Sequence, residues 1–277
     1  MYYIHFIWLG KNRIPREIIN TWIPKVNDNY TIIVWRDFPD KNEKYDKDIL
    51  SIGGLYNQSI FDESSKYNQK SDILRLEILY KYGGVYLDCD IIKTPNDKDI
   101  VETLESSCDK RRSLFITYEK QGCVSNSLIY VKHKKHKLIK FIINGLNGCK
   151  IKEDDGTYIS VCQSTGPKYI TKRLQEYKWN MENILPYHFV NFGIDYSKTF
   201  VNPEFTITEN MKMVTKNKDL RYNPDFDKIM GIQLWMGGKK INYDNVTDDI
   251  VTTSLNNYNK YLEMIKQFYK YSDTNPV

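Results

Sequence analysis

The sequence predicts an α/β fold: a parallel sheet flanked by helices. Three observations carry this prediction. Tyr2–Gly10 (YYIHFIWLG) and Tyr30–Trp35 (YTIIVW) are near-continuously apolar and aromatic, as strands buried on both faces are. Ser71–Asp90 (SDILRLEILYKYGGVYLDCD) reads as a helix, a glycine stop and a strand. Strand, helix, strand, helix, strand at this spacing is the pattern of parallel strands joined by helical crossovers.

Taken in order, Tyr2–Gly10 is the first strand, closed by Gly10. Arg13–Trp22 is a short helix, with Pro15 in its first turn and Pro24 just beyond its end. Tyr30–Trp35 is the second strand, and a polar stretch holding Gly53-Gly54 separates it from the central helix. Ser71 is the expected N-cap of a helix over Asp72–Tyr82, Gly83-Gly84 end it, and Val85–Asp90 forms a strand. Leu114–Tyr118 and Ser127–Val131 are further strands, with Gln121–Asn126 between them. His133–Lys140 begins a solvated helix whose apolar face holds Leu138, Phe141 and Ile142. This explains His133 and His136 better than metal ligation does. Asp154-Asp155-Gly156 is a turn, Ser164–Pro167 precedes a helix over Lys168–Tyr177, and Asn183–Phe192 is an aromatic strand. Asn202–Asp227 receives no element. Leu255–Tyr271 is an amphipathic helix, with Leu262, Ile265 and Phe268 at helical spacing. It is expected to pack on the domain, a peripheral membrane contact being its alternative use.

At 277 residues, 41% hydrophobic and 27% charged, the chain suits one large α/β domain, without internal repeats or low-complexity linkers. Its net charge of +5 is spread along the chain; it tolerates an anionic ligand and does not call for nucleic acid. The five cysteines (Cys89, Cys108, Cys123, Cys149 and Cys162) are odd in number and form no CxxC pair, which favours free thiols in a reducing compartment. No apolar run is long enough for a transmembrane segment. The apolar first nine residues lack a basic leader and a small-residue cleavage site. The expected location is therefore cytoplasmic, in a bacterium or from a virus in its host cell, with no signal peptide or anchor in this chain.

The chemistry concentrates in Ser71–Asp90. Winding Asp72–Tyr82 at about 100° per residue leaves Glu77 and Lys81 as the only polar stripe. Asp72 and Arg75 then point to the opposite side, among Leu76 and Leu79, and buried charge is costly unless it is paired or used. Along the strand, Tyr86, Asp88 and Asp90 share one face, with the two aspartate Cα atoms roughly 6–7 Å apart at its carboxyl end. Open α/β sheets place ligands there, and an Asp-x-Asp pair can hold a hard divalent cation that bridges phosphate oxygens. An internal ion pair and a loop-starting Asp account for the two halves taken separately. Together, with both glycines between them, they describe a site.

This stretch closely resembles the sugar-nucleotide-binding region of DXD-containing glycosyltransferases of family 32, whose relatives include the clostridial glucosylating toxins. The resemblance implies a GT-A-type (Rossmann-like) α/β fold: a mixed, mainly parallel sheet flanked by helices, with a helical elaboration. It also implies transfer of a hexose from a nucleoside diphosphate sugar, expected to be UDP-linked, to a glycan or protein acceptor with retention, as in polysaccharide biosynthesis. Mn2+ or Mg2+ would be held by Asp88 and Asp90. Asp72 would accept sugar hydroxyls and Arg75 would bind sugar or phosphate oxygens, with Tyr86 beside them. Trp8 would lie against the nucleotide base, core or rim packing being the plain alternative. Asn126 matches an Asn near the transferred sugar. Thr165-Gly166-Pro167 matches a segment beside the donor, where a helix N-terminus could offer N–H groups; helix capping explains it as well. The resemblance divides the single domain, 1–277, into a nucleotide-sugar core of about 1–131 and an acceptor and lid part of about 132–277.

One segment departs from the family pattern. Gln233 stands where relatives carry a metal-binding His, and Gly238-Lys239 replace Ser-Trp. An amide oxygen suits a hard cation, and Lys239 or Lys240 could meet the leaving diphosphate. No nucleophilic carboxylate marks a covalent intermediate, so front-face attack by the acceptor hydroxyl is favoured, with Asp72 the first candidate for a covalent route. Two rival readings were weighed. A degenerate protein could bind sugar nucleotide or glycan without turnover, or the Asp-x-Asp could belong to a phosphohydrolase. The latter expects a Thr shortly after the motif, where Ile91-Ile92-Lys93 stands.

Overall fold

A computed structural model describes residues 1–23, 29–95, 98–107, 112–118, 123–148, 158–180, 229–234 and 243–274. β1 (Tyr2–Trp8) and β2 (Tyr30–Arg36) pair in parallel over their whole length, with the short α1 (Arg16–Asn20) between them in sequence. β3 (Asp46–Asp48) extends the sheet beyond β2. α2 (Gln58–Glu63) and α3 (Tyr67–Tyr82) lead into β4 (Gly84–Leu87), which returns parallel to β1. β5 (Ile91–Lys93), α4 (Ile100–Ser106), β6 (Leu114–Tyr118) and β7 (Val124–Val131) follow, then α5 (Lys137–Leu146), α6 (Tyr158–Ser164) and α7 (Pro167–Glu176). β8 (Gly231–Gln233) and the long α8 (Asp248–Thr274) complete the described elements.

The main sheet has the order β3-β2-β1-β4-β7-β6, parallel through β4 and antiparallel at β7 and β6; β5 and β8 form a separate two-stranded ribbon. The expected mixed, mainly parallel sheet is what forms. Side chains alternate between two apolar layers. Ile33, Trp35 and Tyr86 meet Leu76, Leu79 and Ile142 on one face, while Ile4, Phe6, Val34, Val85 and Leu87 meet Trp22 and Leu104 on the other. Both faces are covered, which is why these strands read as continuous apolar runs. α8 packs Val251 against Ile18, Ile92 and Leu234, with Leu255 partly buried beside them. No helix among the described residues is long and apolar enough to cross a membrane.

The central helix differs from its prediction in two ways. It begins at Tyr67, with Lys66 as an extended N-cap residue, so Ser71 lies inside it. Glu77, expected on the solvent stripe with Lys81, is buried and accepts from Asn57 N (3.1 Å) and Asn57 Nδ2 (3.2 Å). Lys81 alone remains exposed. The residue before α2 covers the Glu77 side of α3, a contact that helical periodicity cannot register. α3 keeps three ionisable groups buried because it also buries Ile73, Leu74, Leu76, Ile78 and Leu79, at about 1.5–3 kcal/mol each.

Gly83 and Gly84 both have positive φ, 69° and 91°, and turn α3 directly into β4. A Cβ on Gly84 would lie 2.4 Å from Tyr3 O, so the glycine lets β4 approach β1. Gly83 O accepts from His5 Nε2 (2.9 Å), and His5 Nδ1 accepts from Trp35 Nε1 (3.2 Å). These bonds describe a neutral imidazole, and full burial lowers the His5 pKa to about 4.

Because the folded pKa lies below the ordinary 6.5, His5 contributes stability that is present above pH 6.5 and is lost as the pH falls toward 4. The loss should approach about 3 kcal/mol, read as a falling denaturation midpoint. His5→Gln should show a flatter dependence over that window.

Candidate functional site

The two carboxylates sit on a turn where the chain leaves the main sheet for the ribbon. β4 ends at Leu87, Asp88 N still donates to Ser127 O of β7 (2.9 Å), and Ile91 N reaches back to Asp88 O (3.3 Å). Val85–Asp90 is therefore not one strand. The predicted shared face holds for Tyr86, whose hydroxyl donates to Asp88 Oδ1 (2.7 Å). Asp90 reaches the same end of the sheet through the turn and is buried, while the Asp88 side chain keeps 27% of its surface exposed. Cys89 points inward, its thiol donating to Ile7 O (3.3 Å), and burial raises its pKa.

The ribbon brings in a distant residue. Ile91 pairs with Gln233 across β5 and β8, and Leu234 N donates to Asp90 O (2.9 Å). Gly231 permits this approach, since a Cβ there would meet Ile91 Cγ2 at 2.6 Å. Gln233 is buried, and its Oε1 accepts no hydrogen bond among the described residues. Among those residues, no group of three or more His, Cys, Asp and Glu could hold a metal. An amide oxygen such as Gln233 Oε1 is of the type that suits a hard cation.

Asp72 is the hub behind the turn. Its Oδ1 forms an ion pair with Arg75 Nη2 (2.9 Å) and accepts from Asn126 Nδ2 (2.7 Å), and its Oδ2 accepts from Thr165 Oγ1 (2.9 Å). Burial raises the Asp72 pKa to about 6. Arg75 and the hydrogen bonds from Thr165 and Asn126 hold the rise down, while the nearby Asp88 charge adds to it. Arg75 bridges forward: Nη1 donates to Asp88 Oδ1 (3.2 Å) and to the Asn126 carbonyl, and Nε to Ser71 O (3.4 Å). The guanidinium lies over the Tyr86 ring, 4.5 Å from its centroid. Burial works against the Arg75 charge, but Tyr86, Asp88 and Asp72 more than offset it and raise its pKa.

The predicted residues thus divide by reach. Asp72, Arg75, Tyr86, Asp88, Asn126 and Thr165 form one bonded cluster, while Asp90 and Gln233 are connected to each other's strands by backbone pairing at the β5–β8 ribbon. Thr165 and Tyr86 are fully buried and act through Asp72 and Asp88. The expectation that the Thr165–Pro167 segment offers free N–H groups is corrected: Thr165 N and Gly166 N both donate to Val161 O (3.1 and 3.0 Å). Gly166 is the N-cap residue of α7, and a Cβ on it would lie 3.3 Å from Asp72 Oδ2. Arg75 has four of its five N–H groups engaged, leaving one for a ligand. Lys239 and Lys240, the segment Gly237–Gly238, the turn at Asp154–Gly156 and the strand at Asn183–Phe192 lie outside the described residues.

Trp8 stands half-buried at the carboxyl end of β1. Its Nε1 donates to Asn12 O (2.9 Å), and its ring meets Tyr243 edge-on, with centroids 4.7 Å apart and planes at 75°. Nothing local in the sequence marks Tyr243, because it meets Trp8 only through the folding of distant segments.

Residues 15–105 match a family described as "Glycosyltransferase sugar-binding region containing DXD motif". This match bears out the resemblance read from Ser71–Asp90. The chain is 36% identical over 109 residues to "Subversion of eukaryotic traffic protein A" of Legionella pneumophila, covering 32% of this chain and 17% of that protein. It is 26% identical over 186 residues to an uncharacterized glycosyltransferase of Acanthamoeba polyphaga mimivirus, covering 64% of this chain and 65% of that protein. Both curated relatives therefore extend well beyond the part this chain spans. Among solved structures, it is similar to the UDP-bound glycosyltransferase domain of the YGT toxin. There the TM-score is 0.49 and the identity 10%, over 67% of this chain and 79% of that one.

Thr165→Val should remove the hydroxyl donor from Asp72 and destabilise the fold by about 1.5–3 kcal/mol in chemical denaturation at neutral pH, since that bond is made to a charged group. Thr165→Ser should retain most of the stability.

Proposed function

We propose that this chain, with its DXD-type glycosyltransferase sugar-binding region, is a retaining hexosyltransferase. It takes a UDP-sugar as donor and a glycan or protein hydroxyl as acceptor, and depends on a divalent cation, Mn2+ or Mg2+. The observation that carries this reading is the Asp88–Cys89–Asp90 turn, tied by Arg75 to a buried carboxylate at the carboxyl end of β4.

The donor set fits a hard cation. Asp88 and Asp90 supply carboxylate oxygens and Gln233 Oε1 is a buried acceptor that no hydrogen bond occupies among the described residues. When bound, such a cation supplies positive charge against the diphosphate that leaves the sugar. Tyr86 and Arg75 hold Asp88 through Oδ1, which leaves Oδ2 to face outward. Asp72 accepts two hydrogen bonds from the protein beside its ion pair with Arg75, and retains capacity for one from a sugar hydroxyl. The remaining Arg75 N–H reaches sugar or phosphate oxygen, and Asn126 sets the side of the sugar facing β7. Trp8 receives the nucleoside base. Lys239 is assigned to the leaving diphosphate.

Retention proceeds by front-face attack, because Asp72 is enclosed by three donors from the protein and is poorly placed as a nucleophile. Residues of about 1–131 form the donor half and about 132–277 the acceptor and lid half of one domain. The protein acts in the cytoplasm.

A thermal-shift comparison of UDP- and GDP-sugars with and without Mn2+ should show stabilisation by UDP-sugar plus metal, because a ligand stabilises the state it binds. Stabilisation by GDP-mannose alone would overturn the choice of base. Metal-dependent hydrolysis of the UDP-sugar should fall by about 100-fold in Asp88→Ala and in Asp90→Asn; unchanged rates would remove the metal assignment. Binding without any hydrolysis or transfer would instead identify a non-catalytic sugar-nucleotide binder. Protonating Asp72 removes the charge that strengthens its hydrogen bond from the sugar, so the hydrolysis rate should decline as the pH falls through about 6.

A further inference from the structure

The segment Tyr243–Val246 is fastened to Trp8, at the end of β1, and to the chain that follows it. Arg13, on the chain between β1 and α1, donates from its backbone N–H to Asp244 Oδ1 (3.3 Å) and from Nη1 to Val246 O (2.8 Å). Tyr243 places its ring edge-on against the Trp8 indole, 4.7 Å between centroids. Val246 is fully buried and anchors the same stretch in the cluster of Ile18, Ile92 and Leu234. The indole is thus held from its own loop, through the Nε1–H donated to Asn12 O, and from a segment at the far end of the chain. Leu234, bonded to Asp90 O, ties the same carboxy-terminal part to the carboxylate turn.

We infer that Tyr243 is a positioning residue for the nucleoside base: held on the β1–α1 loop by the Arg13 bonds to Asp244 and Val246, it fixes the orientation in which Trp8 meets the base. The inference rests on the proposed sugar-nucleotide reading and adds to it a residue that acts through Trp8. An edge-on aromatic partner restricts the rotation of a half-buried indole without covering both of its faces. A base then stacks on a surface already oriented, and the ordering cost at binding is lower. Tyr243 affects the base-binding end of the donor and leaves the carboxylate turn as it is.

The test compares wild type, Tyr243→Ala and Tyr243→Phe by calorimetric titration with UDP and with inorganic diphosphate, both with Mn2+. Tyr243→Ala should weaken UDP binding by roughly threefold to tenfold, the range of an aromatic pair converted to affinity. Tyr243→Phe should restore it, and inorganic diphosphate should bind all three proteins equally. In hydrolysis of a UDP-sugar, KM should rise in Tyr243→Ala with kcat unchanged. Equal UDP affinity in wild type and Tyr243→Ala would overturn this inference alone. So would a loss of diphosphate binding as large as the loss of UDP binding, because it would show a general structural defect. Failure of the wild-type protein to bind any nucleoside diphosphate would overturn the donor reading and this inference with it.

Discussion

The buried carboxylate of Asp72 is the interaction on which the candidate site depends. It joins α3 to β7 through Asn126 and to the α6–α7 corner through Thr165, while Arg75 connects it to Asp88. A carboxylate taken out of water costs several kcal/mol unless donors replace its hydration. Here the replacement comes from three separate elements, so satisfying one charge also sets the relative positions of those elements. The pKa of about 6 records the balance: burial raises it, and the donors limit the rise.

This arrangement gives the turn at Asp88–Asp90 two kinds of support. From behind, Arg75 and Tyr86 fix Asp88 through a single oxygen and leave the rest of the carboxylate exposed. From the side, the β5–β8 ribbon holds Asp90 and Gln233 together by backbone pairing. Asp88 is therefore oriented by the protein's own contacts. Both supports converge on the carboxyl edge of the parallel strands, where Trp8 also stands.

Much of this was legible in the chain. The apolar runs of β1 and β2, the glycine pair and the inward charges of α3 were read from periodicity and composition, because each is a local pattern. The limits of local reading are equally specific. Ser71 was taken as a cap because a Ser before an apolar run is a common helix start, but the tertiary contacts of Gln69 and its neighbours extend the helix to Tyr67. Glu77 was assigned to solvent because one helix cannot show that Asn57 covers it. The Asp88–Asp90 pair was placed on a strand, and it is a turn because β5 leaves to pair with β8.

The sequence by itself determined the α/β class, the order of the central elements and the identity of the charged groups that the site uses. It could do so because spacing along a helix or strand dictates which side chains share a face. The tertiary structure decided which of those groups are partners. It made Thr165 a donor to Asp72, paired Gln233 with Ile91 next to the carboxylate turn, and brought Tyr243 against Trp8. The reason is physical: those contacts join segments tens to hundreds of residues apart, and a contact of that kind is chosen by how the layers pack rather than by any pattern within one segment.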